Sequence, residues 1–268
     1  MAVAVGGGAV WVVVEDSRGT ARLWRLDDST GKRLDAYTIG RAGPDFGAVA
    51  VSRRAVYAAA GEHVVSVDLS GRGRVLRATL PGEAAAVAAG PDDVWVATVG
   101  ARYVVSRLGS ATLAERGRAR LTAQPTALQS AFRAIWLATT AGLWRVRTSG
   151  LTAVSEPAAL PIALTTAERR LFVLERPDHV AELDGSGRLQ RRIRLPFPAG
   201  SFAVAGGHVW ATNNCGCRTG KIAMLTTAGT RVRTLNVGRT PVAVAATAST
   251  AWVASFADET LWRVAERR

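Results

Sequence analysis

The feature that most constrains the fold of this chain is a short motif that recurs seven times. In each copy one aromatic residue is flanked by small or β-branched residues, and consecutive aromatic residues lie 36 to 46 positions apart. The seven aromatic residues are Trp11, Tyr57, Trp95, Trp136, Phe172, Trp210 and Trp252. A regular period of about forty residues is typical of repeat architectures, in which each copy is one supersecondary unit. The chain is therefore expected to fold as an array of equivalent units.

Each copy contains four short apolar or β-branched segments. The first lies about eight residues before the aromatic residue, and the aromatic residue itself marks the second. A third segment has aliphatic residues at its first and fourth positions, as in Leu23 to Leu26, and a more polar fourth stretch follows, as in Leu189 to Leu195. Prolines often precede the first segment, at Pro81, Pro125, Pro161 and Pro241. Runs of this kind, separated by Gly, Pro, Asp and Ser, predict four strands per unit and no long helix.

A single four-stranded sheet cannot bury both of its faces, and stacking equivalent sheets side by side around an axis does so in a β-propeller. We therefore predict a single all-β domain over residues 1–268, a seven-bladed β-propeller of four-stranded antiparallel blades. The recurring aromatic residues are expected to pack between blades. Blade 7 is expected to lack its outer strand, because the chain ends just after its third segment. The predicted blades cover residues 1–40, 41–80, 81–121, 122–160, 161–196, 197–238 and 239–268.

The unit resembles the YVTN/NHL-type propeller repeat of the WD40-like superfamily. In that repeat a proline and a "VAV–GG–VWVA" segment lead to a "Leu-x-Arg-Leu-Asp" strand and a turn that ends in Gly. The copies from Val3 to Gly40 and from Ala203 to Gly238 match this pattern best. The resemblance covers the whole chain and implies a fold, not an activity. A bacterial, high-GC origin is expected as well, since Lys32 and Lys221 are the only lysines among 34 basic residues.

The missing outer strand of blade 7 bears on localisation. An unpaired outer edge invites aggregation, so either blade 7 has three strands or residues upstream of Met1 supply the fourth, and we favour the second. A signal peptide, anchor or partner domain would then lie upstream, and the protein would be exported or at the cell surface; otherwise we expect it in the cytoplasm. No apolar run in the sequence approaches the roughly 18 residues that a membrane-spanning helix needs.

The loops between the second and third segments indicate where a ligand would bind. Loops that a rigid scaffold positions often carry function, and these loops are longest in blades 1 and 6, with blade 7 between them in a closed ring. We therefore predict a ligand-binding sector on blades 6, 7 and 1, which would receive a protein or a small ligand. Its candidate residues are Glu15, Asp16, Arg18, Asn213, Asn214, Arg218, Asp258 and Glu259.

Cys215 and Cys217 are the only cysteines, and they lie in the same predicted sector. A Cys-x-Cys pair can supply two thiolates to a metal ion, form a small strained disulfide, or be two ordinary loop cysteines. His179 is expected on the same face and is a third candidate ligand, although a structural zinc site needs four ligands. No cofactor is predicted, with a divalent metal at these residues as the alternative.

No pattern of catalytic residues emerges from the sequence. It contains no Gly-x-Ser-x-Gly, no phosphate-binding Gly-rich loop followed by Lys, and no His-Glu-x-x-His. We therefore predict no catalytic residues and favour a non-catalytic ligand- or protein-binding or scaffold module, the C-terminal or extracytoplasmic part of a bacterial protein. A metal-assisted lyase or hydrolase with its site on the loops of blades 6, 7 and 1 is one alternative.

The charge suggests a second alternative. The chain has 34 basic and 21 acidic residues, for a formal net charge of +13. Arginines recur at one place in the third segment, at Arg25, Arg107, Arg145 and Arg263, and others lie in the outer segments. An Arg-rich rim of this kind favours weak, salt-sensitive binding of nucleic acid or another anionic polymer. Sequence-specific nucleic-acid recognition is not expected, because the charge forms no patch interleaved with exposed aromatic residues.

Overall fold

The computed structural model describes residues 1–43, 47–70, 73–147, 150–153, 160–213 and 218–266. Within these residues the regular structure consists of β-strands, and no helix is long and apolar enough to cross a membrane. The chain divides into two compact units, Met1–Ala153 and Val154–Arg268.

In its described residues the first unit contains sixteen strands in four sheets. They are β1 (Ala2–Gly6), β2 (Ala9–Glu15), β3 (Thr20–Asp27), β4 (Arg33–Arg41), β5 (Ala48–Val51), β6 (Ala55–Ala60), β7 (His63–Asp68), β8 (Leu76–Thr79), β9 (Glu83–Ala89), β10 (Asp93–Val99), β11 (Tyr103–Gly109), β12 (Glu115–Leu121), β13 (Pro125–Ala131), β14 (Ala134–Thr139), β15 (Gly142–Arg147) and β16 (Gly150–Ala153).

The described part of the second unit contains eleven strands in three sheets. They are β17 (Pro161–Ala167), β18 (Arg170–Glu175), β19 (His179–Leu183), β20 (Leu189–Arg194), β21 (Ala199–Ala205), β22 (His208–Asn213), β23 (Gly220–Thr226), β24 (Arg231–Val237), β25 (Pro241–Ala246), β26 (Thr250–Ser255) and β27 (Thr260–Ala265).

Each sheet is an antiparallel meander in chain order, and each forms one blade. Blades 1 to 4 are the sheets β1–β4, β5–β8, β9–β12 and β13–β16, and blades 5 and 6 are β17–β20 and β21–β24. Blade 7 has three strands, β25–β27, within the described residues. The chain is thus an all-β, seven-bladed β-propeller with a three-stranded last blade, which confirms the fold class predicted from the repeat.

The prolines that precede the first segments have a structural role at the start of the innermost strands. Pro125, Pro161 and Pro241 are the first residues of β13, β17 and β25, and in each case the register shifts by one residue immediately afterwards. Proline lacks a backbone donor, so it is tolerated at the first residue of a strand or beside a bulge. Each of these prolines is therefore both the first residue of its blade and the neighbour of the bulge.

Successive sheets within each unit pack face to face through apolar side chains. The recurring aromatic residues lie in these layers, and Trp11, Trp136 and Trp210 are at most 1% exposed. In blade 1, Trp11 packs with residues of blade 2 in one buried cluster, and in blade 3, Trp95 does the same with residues of blade 4. Burying an aromatic side chain of this size contributes several kilocalories per mole to folding, on the order of 3–5 kcal/mol by truncation.

Candidate functional site

The arginines that recur in the third strand each lie directly across from the tryptophan of the second strand. Four cross-strand pairs of this kind are present, with the guanidinium 5.6 to 6.0 Å from the indole centroid. The pairs are Trp11 with Arg25, Trp95 with Arg107, Trp136 with Arg145, and Trp252 with Arg263. A cation over an indole face is a favourable contact, worth about 0.5–2 kcal/mol. We call this arrangement the Trp–Arg pair.

Between blades 1 and 2 the arginine of the Trp–Arg pair also joins the two sheets. Arg25 Nη1 donates a hydrogen bond of 2.8 Å to the carbonyl oxygen of Ser70, in the turn after β7, and lies 3.2 Å from Asp35 Oδ2 of its own blade. Between blades 2 and 3 the Tyr57 hydroxyl makes the corresponding contact, at 3.2 Å from the carbonyl oxygen of Ser110. Each of these two interfaces therefore has a hydrogen bond from one blade to the next on this side.

Blade 3 uses its arginine differently. Arg107 turns onto Asp93 of its own blade, with Nε and Nη2 at 2.7 and 2.6 Å from Oδ2. Arg116 of the outer strand reaches the other carboxylate oxygen, Oδ1, at 2.9 Å. The residues of blade 4 that correspond to Ser70 and Ser110, 148 and 149, lie outside the described residues.

A groove of about 710 Å³ lies between blades 3 and 4, on the side of the turns that join the first and second strands. The lining residues come from both blades and include three arginines, one carboxylate and several apolar side chains. They are Gly90, Pro91, Asp93, Trp95, Arg107, Ser130, Arg133, Ala134, Ile135, Arg145 and Val146. The groove has the size of an ordinary small-ligand or peptide site.

Arg133 belongs to the turn before β14, and its backbone is in the left-handed region. Phe132 and Arg133 have φ of 51° and 58°. Blade 1 has Gly7 and Gly8 at the same two positions, with φ of 63° and 69°. Left-handed backbone is costly for side chains other than Gly, Asn and Asp. Blade 4 therefore presents an exposed arginine at the groove from a turn that glycine would adopt with less strain.

The loop residues predicted as a ligand-binding sector fall in both units. In the first unit, Asp16 closes its own loop: Oδ1 accepts hydrogen bonds from the Thr20 and Arg18 amides, and Oδ2 lies 3.0 Å from Arg22 Nε. The Thr20 amide, together with Arg22 and the Arg18 amide, lowers the pKa of Asp16 below its usual value. Glu15 and the Arg18 side chain are exposed. The described contacts of Asp16 are structural.

In the second unit the predicted residues also hold their own loops. Asn213 is buried and its Oδ1 accepts the Lys221 amide at 2.7 Å. Asp258 accepts the Arg239 amide at 3.0 Å and the Thr260 hydroxyl at 2.9 Å. Desolvation raises the pKa of Asp258, but the hydrogen bonds, led by the Arg239 amide, outweigh it and leave the pKa below its usual value. Arg218 and Glu259 are exposed.

The predicted metal or disulfide residues are described in part. Asn214, Cys215 and Cys217 lie outside the described residues. His179 is described, and its Nδ1 is 2.8 Å from Asp178 Oδ1. Within the described ranges no group of three or more His, Cys, Asp or Glu side chains is placed to hold a metal ion.

Several arginines of the outer strands are ion-paired. Arg118 contacts Glu115, Arg191 contacts Glu182, Arg192 contacts Glu175 and Arg194 contacts Asp178. Sequence reasoning treated these arginines as free charge on a rim, because cross-strand carboxylate partners are visible only once the register is known. The groove between blades 3 and 4 was also missed, since it lies on the opposite side from the loops between second and third strands.

Comparisons with known proteins give the fold and nothing finer. No family model matches the chain. No curated protein matches it in sequence. Among solved structures 1300 chains match, and one of them is the β-propeller domain of Cps50 (Swd1) from Myceliophteria thermophila. That domain aligns with a TM-score of 0.75 over 98% of this chain and 96% of its own length, at 14% sequence identity. An alignment of that length and low identity supports the β-propeller fold, and a fold hosts many functions.

Proposed function

We propose that this chain is a non-catalytic binding module and that its ligand is seated in the groove between blades 3 and 4. The observation that carries the proposal is the groove itself. Residues of blades 3 and 4 line a volume of about 710 Å³ that includes three arginines and an apolar wall. β-propellers commonly serve as protein-interaction or scaffold modules, and a concave site with a few polar groups is the usual place for a ligand.

The chemistry of the lining supports binding more than catalysis. The Asp93 carboxylate is held by two guanidiniums, and Trp95 is 9% exposed at the wall. An ion-paired carboxylate with both oxygens occupied is a poor general base, because a base must be free to take a proton from the substrate. The same groups are well suited to orient a bound molecule.

A fragment screen by two-dimensional NMR tests the proposal. The mixture contains anionic, neutral and cationic fragments, and we expect shift changes at the amides of Ser130, Arg133 and Ala134. Replacing Ala134→Trp fills the groove and should remove these changes, while Ala257→Trp, at an exposed alanine of the second unit, should leave them intact. Shifts confined to Asp16, Asn213 and Asp258 would instead favour the loop sector predicted from the sequence. An absence of shifts at both places would refute a small-ligand groove.

The finer family assignment belongs to the same proposal. We propose that the repeat is of the YVTN/NHL type from a bacterium. The support is the Leu-x-Arg-Leu pattern of the third strand, seen as Leu23–Leu26 in blade 1 and varied as Leu143–Val146 in blade 4. Profile searches built from homologues of this chain test it, and a profile that retrieves only another repeat class would refute it.

A further inference from the structure

The groove between blades 3 and 4 offers hydrogen-bond donors rather than acceptors. Asp93 is the carboxylate among its lining residues, and it already accepts two contacts from Arg107 and one from Arg116, at 2.6 to 2.9 Å. Its side chain is 13% exposed. A carboxylate filled in this way has little capacity left for a cationic ligand. A lysine- or arginine-bearing ligand is therefore not what the groove fits.

Arg145 contacts the Trp136 ring and has no hydrogen-bond partner in the described part of the chain, and two further guanidiniums in the groove retain donors. Arg107 uses Nε and Nη2 for Asp93, and among the described residues nothing accepts a hydrogen bond from its Nη1. The same atom of Arg25, in blade 1, donates to the Ser70 carbonyl of the next blade. Arg133 is exposed and has no carboxylate partner within the described ranges. Residues 148 and 149 of blade 4, which follow β15 as Ser70 follows β7, lie outside the described residues.

The remaining wall of the groove is apolar. Ile135 and Val146 are 6% and 4% exposed and belong to the buried layer between blades 3 and 4, and Pro91 also lines the groove. An apolar wall beside two guanidiniums suits a ligand in which an anionic group is adjacent to an aliphatic one. Guanidinium and carboxylate match in planar geometry, and such charge-assisted hydrogen bonds are roughly twice as strong as neutral ones.

We propose that the ligand of this groove is an acidic peptide segment, with a carboxylate bound by Arg133 and Arg107 Nη1 and a neighbouring aliphatic side chain against Ile135 and Val146. The inference rests on the proposed function, because it names the ligand class of the same groove.

A protein segment fits the groove better than a nucleic acid. A phosphodiester chain needs a continuous row of free cations, and Asp93 places a fixed negative charge inside the groove. Two of the three arginines of the adjacent outer strand are also engaged, Arg116 by Asp93 and Arg118 by Glu115. A peptide segment with a single carboxylate beside an aliphatic side chain does not need such a row of cations.

Isothermal titration calorimetry with two matched peptides tests the proposal. The first is an acetylated peptide of sequence Leu-Asp-Leu-Glu-Leu, and the second is its neutral analogue Leu-Asn-Leu-Gln-Leu. We expect the acidic peptide to bind at least about fivefold more tightly, with an affinity that falls as salt is raised, because the contact is partly exposed. Both titrations use the full chain, because residues of two blades line the groove.

The variant Arg133→Asn identifies the anchor. Asparagine tolerates left-handed backbone, so the turn is kept while the charge is removed. We expect the acidic peptide to lose about tenfold in affinity, in line with one charge-assisted hydrogen bond, and the neutral peptide to be unchanged. The control is Arg169→Asn, at the same turn position in blade 5 with φ of 60°. It removes the same charge elsewhere and should leave both peptides unaffected.

The outcomes separate this inference from the proposed function. Equal binding of the two peptides, or binding of anionic fragments alone with neither peptide bound, would overturn the acidic-peptide assignment while the groove remains a binding site. Equal weakening by both arginine variants, or competition by single-stranded DNA, would show diffuse polyanion attraction and would also overturn it. If the fragment screen gave no shift changes at Ser130, Arg133 and Ala134, the proposed function of the groove as a binding site would itself be refuted.

Discussion

The interface between blades 1 and 2 and the interface between blades 3 and 4 are built from the same Trp–Arg pair, yet one is closed and the other is open. In the first, Arg25 spans to the Ser70 carbonyl and Trp11 is fully buried. In the second, Arg107 turns back to Asp93, and Trp95 remains 9% exposed beside a groove. Blade 3 has Asp93 at the repeat position where blade 1 has Ala9, and Arg107 pairs with that carboxylate. The difference teaches that a repeat can keep its Trp–Arg pair while the arginine takes different polar partners.

The largest expected effect separates the two tryptophans. Trp11→Ala should lower the free energy of unfolding by about 3–5 kcal/mol, because it removes a fully buried indole and leaves a cavity. Trp95→Ala should lie at the lower end of that range, since its cavity opens into the groove and water can enter. Urea denaturation of both variants, with the exposed Trp262→Ala as a control, measures the difference. Equal losses in the free energy of unfolding would mean that access of water from the groove does not reduce the cost of the cavity left by Trp95→Ala.

The next effect concerns the arginine that spans two blades. Arg25→Gln removes both the hydrogen bond to the Ser70 carbonyl and the ion pair with Asp35, and a charged hydrogen bond of this kind contributes about 1.5–3 kcal/mol. We expect increased amide exchange in blades 1 and 2 together. Arg107→Gln should change exchange within blade 3, because its partner is in the same blade. If both variants loosened two blades equally, the distinction between the interfaces would be wrong.

A smaller effect is expected from exchanging the turn residues. Arg133→Gly relieves left-handed strain in blade 4 and should raise Tm by about 2–4 °C, from roughly 1 kcal/mol. The reverse change, Gly8→Arg, should cost a similar amount, since nothing lies within 4 Å of a Cβ at that position and only the backbone is strained. Scanning calorimetry of the two variants checks the sign. A lower Tm for Arg133→Gly would show that the arginine stabilises the free protein.

The smallest effect comes from the turns between third and fourth strands. Asp27 and Asp68 cap these turns in blades 1 and 2, and blades 3 and 4 have Gly109 and Arg147 there. Hydrogen bonds from Ser29, with those of Thr30, hold the pKa of Asp27 well below its usual value, and Ser70 lowers the pKa of Asp68.

Since each carboxyl has a lower pKa folded than the value of about 3.9 expected unfolded, its contribution is complete above pH 4 and is lost as pH falls through the folded pKa. We expect acid unfolding curves of Asp27→Asn and Asp68→Asn to be flatter between about pH 4 and pH 2 than that of the parent. Unchanged slopes would show that other carboxyls control acid stability.

The sequence was sufficient for the fold because one pattern was repeated seven times. The spacing of Trp11, Trp95 and their counterparts predicted the blades, and the end of the third segment predicted the three strands of blade 7. The contacts that line the groove depend on the pairing register between strands, and the repeat pattern does not show that register. That Arg107 meets Asp93, while Arg25 meets Asp35 and the next blade, follows from pairings between strands. In the sequence, the one sign of this difference is that blade 3 has Asp93 at the repeat position where blade 1 has Ala9.

The burial of the tryptophans has an optical consequence. Trp262, in the edge strand of blade 7, is 42% exposed, whereas the indoles of the second strands are nearly inaccessible to solvent. A collisional quencher such as acrylamide should therefore reach Trp262 first. In a Trp262→Phe variant the emission would come from the seven remaining indoles, of which Trp95 lies at the wall of the groove. The protein thus carries an intrinsic fluorophore at its candidate site, and a titration can be followed without a label.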